Sequence, residues 1–208
     1  MNKNRFDNKD SYKLYRNLYS VIHPSISKNN LTKYRIIMDE KLLPVRVYYP
    51  KRISDTKGVV IYINGYNKDE LYGDFLSDLA IKTECTVIGI DYDDEIINDK
   101  LEISIYNTLK YIYKELVRID INVSNIVFMG DREGSNLLIK WEREFNSKLI
   151  LFAPTLKKIN IKNKYLIIET RENEHTKELK NIYLYNNKIN DLLDKINKFI
   201  KDDKNEEK

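Results

Sequence analysis

Apolar residues recur along this chain with two periods, and the periods alternate. Leu14, Tyr15, Leu18, Tyr19 and Ile22 share one helical face, and His23-Pro24 closes that helix, because the residue before a proline is pushed out of the helical region. Residues 34–38 and 45–49 predict two strands joined by a polar turn, with Pro44 at the entry to the second. Residues 59–63 are continuously apolar, the pattern of a strand buried on both faces. Leu71, Tyr72, Phe75, Leu76, Leu79 and Ala80 then return to helical spacing. Residues 86–90 predict a buried strand, and Ile105, Leu109, Ile112 and Leu116 a long helix. Residues 126–129 predict the next strand, followed by a helix with Leu137, Leu138, Trp141 and Phe145 inward. Three more strands are expected at 148–152, 165–169 and 181–185. A final helix carries Ile189, Leu192, Leu193, Ile196, Phe199 and Ile200.

Eight strands interleaved with helices predict an α/β fold: a mostly parallel sheet covered on both faces, with an antiparallel edge from the two early strands. No repeat or linker divides the 208 residues, so a single domain is expected over 1–208, with polar, frayed ends at 1–10 and about 202–208.

Composition narrows the functional classes. Net charge is +4, from 36 basic and 32 acidic residues that are interspersed, which argues against a nucleic-acid binder with its concentrated basic face. The 16 tyrosines fall mostly on apolar faces, so packing explains them better than base stacking. The single cysteine, Cys85, opens an apolar run and reads as a small buried hydrophobe. No signal core or membrane-length apolar run is present, so a cytoplasmic setting is expected. No His/Cys/carboxylate set has metal-ligand spacing, and no cofactor is implied.

The chemistry-bearing stretch is residues 126–138, an apolar strand, a Gly-x-x-x-Gly turn and a helix start. That is the frame of a nucleophile elbow, in which a strained turn presents a serine between two glycines. Gly130 and Gly134 are in place, but Arg132 stands between them. A guanidinium stays protonated at neutral pH and cannot attack a carbonyl.

Four segments in order resemble the α/β-hydrolase fold, esterase/lipase branch related to hormone-sensitive lipase. Residues 43–50, LPVRVYYP, resemble its second strand, which often ends in Tyr-x-Pro. Residues 60–67, VIYINGYN, resemble the strand entering a His-Gly-Gly-Gly loop; 91–95, DYDDE, resemble a shortened Asp-Tyr-Arg-Leu-Ala-Pro-Glu; and 130–137, GDREGSNL, resemble Gly-Asp-Ser-Ala-Gly-Gly-Asn-Leu. The resemblance implies the eight-stranded fold, and a triad in chain order Ser, Asp/Glu, His. The serine position is Arg132. The histidine is expected within 185–192, which reads YNNKINDL and holds none; Lys188 or Asn190 takes the place. The acid is expected within 171–174, where Glu172 or Glu174 remains, or Asn173 holds the spot. The oxyanion loop keeps Gly65, while Asn64, Tyr66 and Asn67 replace the rest. About eleven residues separate the sixth and seventh strands, leaving little room for a lid, unless the helix at 11–22 covers the site.

Several readings follow. Arg132 beside a helix N-terminus makes an anion site with Asp131, Glu133, Asn64, Gly65 and Tyr66 around it. Alternatively it forms an internal ion pair with Glu172, Glu174 or Asp93 and plugs the pocket. Ser135 is a replacement nucleophile with His175 and Glu172, or a helix cap or strand contact. His175 and His23 read as loop and turn residues, and the acidic run at 91–95 as a solvated loop rather than a calcium or magnesium site. The leading expectation is a hydrolase-like protein without a working triad that binds a small anion or a protein partner. The alternatives are an active carboxylic-ester hydrolase using Ser135, His175 and Glu172, and a structural subunit.

Overall fold

The computed structural model describes residues 42–50, 56–65, 70–92, 97–155, 160–170, 179, 181–186 and 188–202, together with the backbone of 33–36; for 70–72 it describes the backbone alone. The helix expected at 11–22, the polar end at 1–10 and residues 203–208 of the other end lie outside these residues, as do Tyr66, Asn67, Asp93, Glu172, Asn173, Glu174 and His175.

Eight strands form one sheet: β1 (Lys33–Ile36), β2 (Val45–Tyr48), β3 (Val59–Ile63), β4 (Thr86–Ile90), β5 (Ile126–Asp131), β6 (Lys148–Phe152), β7 (Tyr165–Glu169) and β8 (Ile182–Leu184). Their spatial order is β1-β2-β4-β3-β5-β6-β7-β8. β1 and β2 pair antiparallel, and β2 runs antiparallel to β4. All other pairs are parallel. The antiparallel edge and parallel body are therefore as expected. Several ends differ. β1 starts at Lys33, one residue earlier than expected, β2 ends at Tyr48 rather than at 49, and β8 spans Ile182–Leu184 rather than 181–185. β5 continues to Asp131 because Gly130 and Asp131 still pair with Leu151 and Phe152 of β6.

Among the described residues four α-helices flank the sheet: α1 (Glu70–Thr83), α2 (Asp99–Arg118), α3 (Glu133–Trp141) and α4 (Ile189–Lys201). On one face Phe75, Leu76, Leu79 and Ala80 of α1 join Ile189, Leu192, Leu193, Ile196 and Phe199 of α4 over Val60, Tyr62, Val127 and Ile150. On the other, Leu101, Ile105, Leu109 and Ile112 of α2 join Leu137, Leu138 and Trp141 of α3 over Ile61, Ile63, Phe128 and Leu149. Alternate residues of each central strand thus feed two cores, which explains why those strands read as unbroken apolar runs. α2 begins where the Asn98 side chain accepts from the Leu101 N–H at 3.0 Å, satisfying one of the orphan donors of a helix start. Cys85 is buried and free, as expected of a small hydrophobe.

The parallel strands aim their carboxyl ends at one edge. There the loop after β3, the segment after β4 and the turn from β5 into α3 meet, the usual place for a site in an α/β sheet.

Candidate functional site

β5 delivers the chain to that edge and α3 starts at once. Arg132 occupies the junction with φ 50° and ψ −107°. A residue with a side chain is strained there and persists only where its surroundings enforce it. Two backbone bonds do so. The Arg132 N–H donates to the Phe152 carbonyl at 2.8 Å, and the Asn136 N–H donates to the Arg132 carbonyl at 2.9 Å. Close packing does the rest: a β-carbon on Gly134 would stand 2.3 Å from the Ile63 carbonyl oxygen. The sharp strand-turn-helix expected from the two glycines is present, with arginine at its apex. Arg132 is 3% exposed, so the guanidinium is enclosed.

Ser135 lies one turn on, fully buried. Its hydroxyl sits 2.7 Å from the Gly130 carbonyl and 3.0 Å from the Phe152 carbonyl, donating inward to the two strands. It does not cap α3, whose cap position is Arg132 with no side-chain bond. Of the two structural roles weighed from sequence, the strand contact is the one observed. Its proposed partners His175 and Glu172 lie outside the described residues.

Glu133 is the residue after the elbow apex, whose N–H would serve as an oxyanion donor in a hydrolase. Here the Glu133 carboxyl accepts from that same N–H. Its Oε2 is buried without a hydrogen-bond partner. Burial pushes the Glu133 carboxyl above the usual carboxylate range, and the Asp131 charge adds to this; the N–H bond and Arg132 oppose it. Asp131 is itself buried at 5% exposure.

A residue that motif reading passed over stands at the same edge of the sheet, in the wall of a cleft beside Asn64. Tyr92 follows β4, and its hydroxyl is buried with no hydrogen bond. Burial first, and then the charges of Asp131 and Glu133, push its ionisation far above the ordinary tyrosine value. In the sequence Tyr92 was one letter of an acidic run. Its place directly after a parallel strand was the available signal. Its neighbour Asp91 is not a solvated loop acid either: it is 9% exposed and pairs with Arg46 at 3.1 Å.

Asn64 and Gly65 continue from β3 beside the elbow, and Gly65 lies against Asp131 and Arg132. A cleft of about 50 Å³ opens between the ends of β2, β3 and β4, with Arg46, Tyr62, Asn64, Asp91 and Tyr92 among its walls. Small-molecule pockets run to roughly 300–1,000 Å³, so this one admits a few atoms. Lys188 and Asn190, the residues that stand where a histidine is expected, are exposed at the start of α4. Among the described residues no cluster of three or more His, Cys, Asp or Glu has the geometry of a metal site, and no helix is long and apolar enough to cross a membrane.

The raised Glu133 value carries a pH consequence. A carboxyl whose folded value lies above its unfolded one stabilises the fold fully below the ordinary glutamate range and loses that contribution as pH rises through the folded value. Glu133→Gln should therefore be more stable than wild type at neutral pH, with the advantage vanishing in acid. Thermal melts of both proteins across pH 3–8 test this; a variant that is less stable at neutral pH would show that the carboxylate is a net stabiliser.

The comparisons with known proteins agree with this architecture. The Francisella virulence factor BioJ superposes with a TM-score of 0.65 over 94% of this chain and 93% of its own, at 15% identity. A thermostable carboxylesterase cloned from a metagenomic library superposes with a TM-score of 0.52, over 72% of this chain and 54% of its own, at 19% identity. By sequence, a protein of Acanthamoeba polyphaga mimivirus named for the alpha/beta hydrolases is 25% identical over 128 residues, or 59% of this chain. The chain spans 37% of the length of that relative. No protein-family model matches. The chain has the α/β-hydrolase fold of esterases and lipases.

Proposed function

We propose that this chain is a non-hydrolytic relative of the esterases and lipases, of the hormone-sensitive-lipase type by its motifs, in which the elbow face binds rather than cleaves. One observation carries the reading: the apex of the elbow is a buried arginine, Arg132, in the strained conformation that a nucleophile would need. Two further features support it. The Glu133 carboxyl takes up the N–H that would stabilise an oxyanion, and the Ser135 hydroxyl is committed to backbone carbonyls. A serine without a positioned base is a poor nucleophile, and 185–192 contains no histidine.

The ligand was expected to be a small anion. Arg132 and the helix N-terminus favour one. Buried Asp131 and the Glu133 carboxyl oppose it, since they place negative charge beside that arginine. The balance supports a ligand that brings a hydrogen-bond donor, and a protein partner supplies such groups as readily as a small molecule does.

Hydrolysis of short-chain p-nitrophenyl esters tests the reading. Wild type, Arg132→Ser and Ser135→Ala should all match the no-protein rate, because restoring a serine restores neither a base nor the oxyanion donor. Wild-type turnover lost in Ser135→Ala would instead establish the ester-hydrolase alternative.

A further inference from the structure

Two glycines border one small cleft, and neither is there for its backbone angles. Gly73 belongs to α1 and Gly89 to β4, and both line the cleft of about 50 Å³ at the ends of β2, β3 and β4. Glycine weakens helices and strands alike, because it packs nothing and loses the most freedom on folding. A positive φ would account for it, but no glycine among the described residues has one. Close packing accounts for Gly65, Gly130 and Gly134, where an added β-carbon would stand under 3.0 Å from backbone atoms. Gly89 is different. Its β-carbon would meet Leu76 Cδ1 at 3.5 Å, the Arg46 carbonyl oxygen at 3.9 Å and Tyr62 Cδ1 at 4.0 Å, all ordinary contacts. What glycine provides at 89 is therefore room between α1 and the sheet.

The walls set the chemistry of an occupant. Leu76, Ile90 and the rings of Tyr62 and Tyr92 are apolar, and both of these tyrosine hydroxyls are enclosed. Arg46 is an accessible donor in the same wall, with its side chain 29% exposed. Its Nη2 lies 3.1 Å from Asp91 Oδ1, and it also bonds the Tyr48 hydroxyl. A guanidinium carries five N–H donors, so these two partners leave capacity for a further acceptor. Asp91 offsets the Arg46 charge locally. The charges of Asp91 and Asp74 reach Tyr48, and those of Asp131 and Glu133 reach Tyr92. An anion in the cleft would meet these carboxylates, and a cation would meet the guanidinium. A neutral acceptor avoids both. We propose that the cleft between α1 and the ends of β2 and β4 binds a small neutral carbonyl compound, an amide or a ketone, whose oxygen accepts from Arg46 and whose carbon atoms lie over Gly89. The described wall includes Asn64 but neither Arg132 nor Glu133, so the inference goes beyond the elbow reading and does not depend on it.

Acetamide, acetate and methylammonium are all small and differ in charge, so together they isolate this chemistry. Saturation-transfer NMR on the full chain at neutral pH should show acetamide and acetone binding in the millimolar range expected for so few atoms. Acetate and methylammonium should bind at least about tenfold more weakly. Gly89→Ala places a methyl group in the space without a clash. It should weaken acetamide at least about tenfold while melting at or above the wild-type temperature. Absence of transfer to both neutral probes at tens of millimolar would overturn the proposal. So would equal binding of acetamide by Gly89→Ala, or acetate or methylammonium binding as tightly as acetamide. A Gly89→Ala variant that melts below wild type would overturn it as well, because the space over Gly89 would then not be open.

Discussion

Gly65→Ala is expected to cost more than about 3 kcal/mol of folding stability, a loss at the severe end for a single methyl group. A β-carbon at that position would stand 1.9 Å from the Asp131 carbonyl oxygen, 2.8 Å from the Asp131 carbonyl carbon and 3.0 Å from the Arg132 β-carbon. None of these atoms is the far end of a flexible side chain. Asp131 is held in β5 by its pairing with Phe152, and Arg132 by its own bond to the Phe152 carbonyl. Relief therefore requires the loop after β3 to lift away from the elbow, or β5 to slip. Urea unfolding measures the effect. Gly89→Ala is the control: its β-carbon would meet Leu76 Cδ1 at 3.5 Å, an ordinary contact, so that variant should be neutral or mildly stabilising. Equal midpoints for the two variants would mean that the loop is not seated on the elbow.

Phe128→Ala should destabilise by about 3–5 kcal/mol, the range for emptying a buried aromatic site. Phe128 is 0% exposed in the middle of β5, beneath the turn that carries Arg132. Its ring centroid lies 5.0 Å from that of Phe145 and 5.9 Å from that of Tyr113, tying the strand to α2 and to the segment after α3. The cavity would open among side chains fixed by two helices and cannot collapse readily. Phe128→Leu, which keeps most of the volume, should lose less than half as much. Urea midpoints at constant slope distinguish lost packing from a change in the unfolded state; similar losses in both variants would show that the aromatic contacts carry little.

The fold was legible in the sequence because its signals are local. Strands β3, β4, β6 and β7 sit at their expected bounds, since an apolar run of five residues between polar turns has few other uses. The stripe from Ile189 to Phe199 marks α4 for the same reason. The end of β5 was misjudged because Gly130 and Asp131 are poor strand formers held in place by β6, a partner distant in sequence. At the site the division is sharper. Arg132 was visible as the residue between two glycines. The burial of Tyr92 was not, because nothing in residues 91–95 shows that its hydroxyl is enclosed and feels the charges of Asp131 and Glu133, about forty residues later.

The sequence alone determined the order of strands and helices, the presence of the elbow frame, an arginine at its apex, and a stretch after the last strand without a histidine. These follow from residue identity and from periods of two and 3.6 that act over a few neighbours. Tertiary structure decided what the side chains do. It turned the Ser135 hydroxyl onto the carbonyls of two strands, folded the Glu133 carboxyl onto its own N–H, and enclosed the Tyr92 hydroxyl without a bond. Hydrogen-bond direction and burial depend on backbone angles and on strands brought together across the sheet, and a linear pattern carries neither.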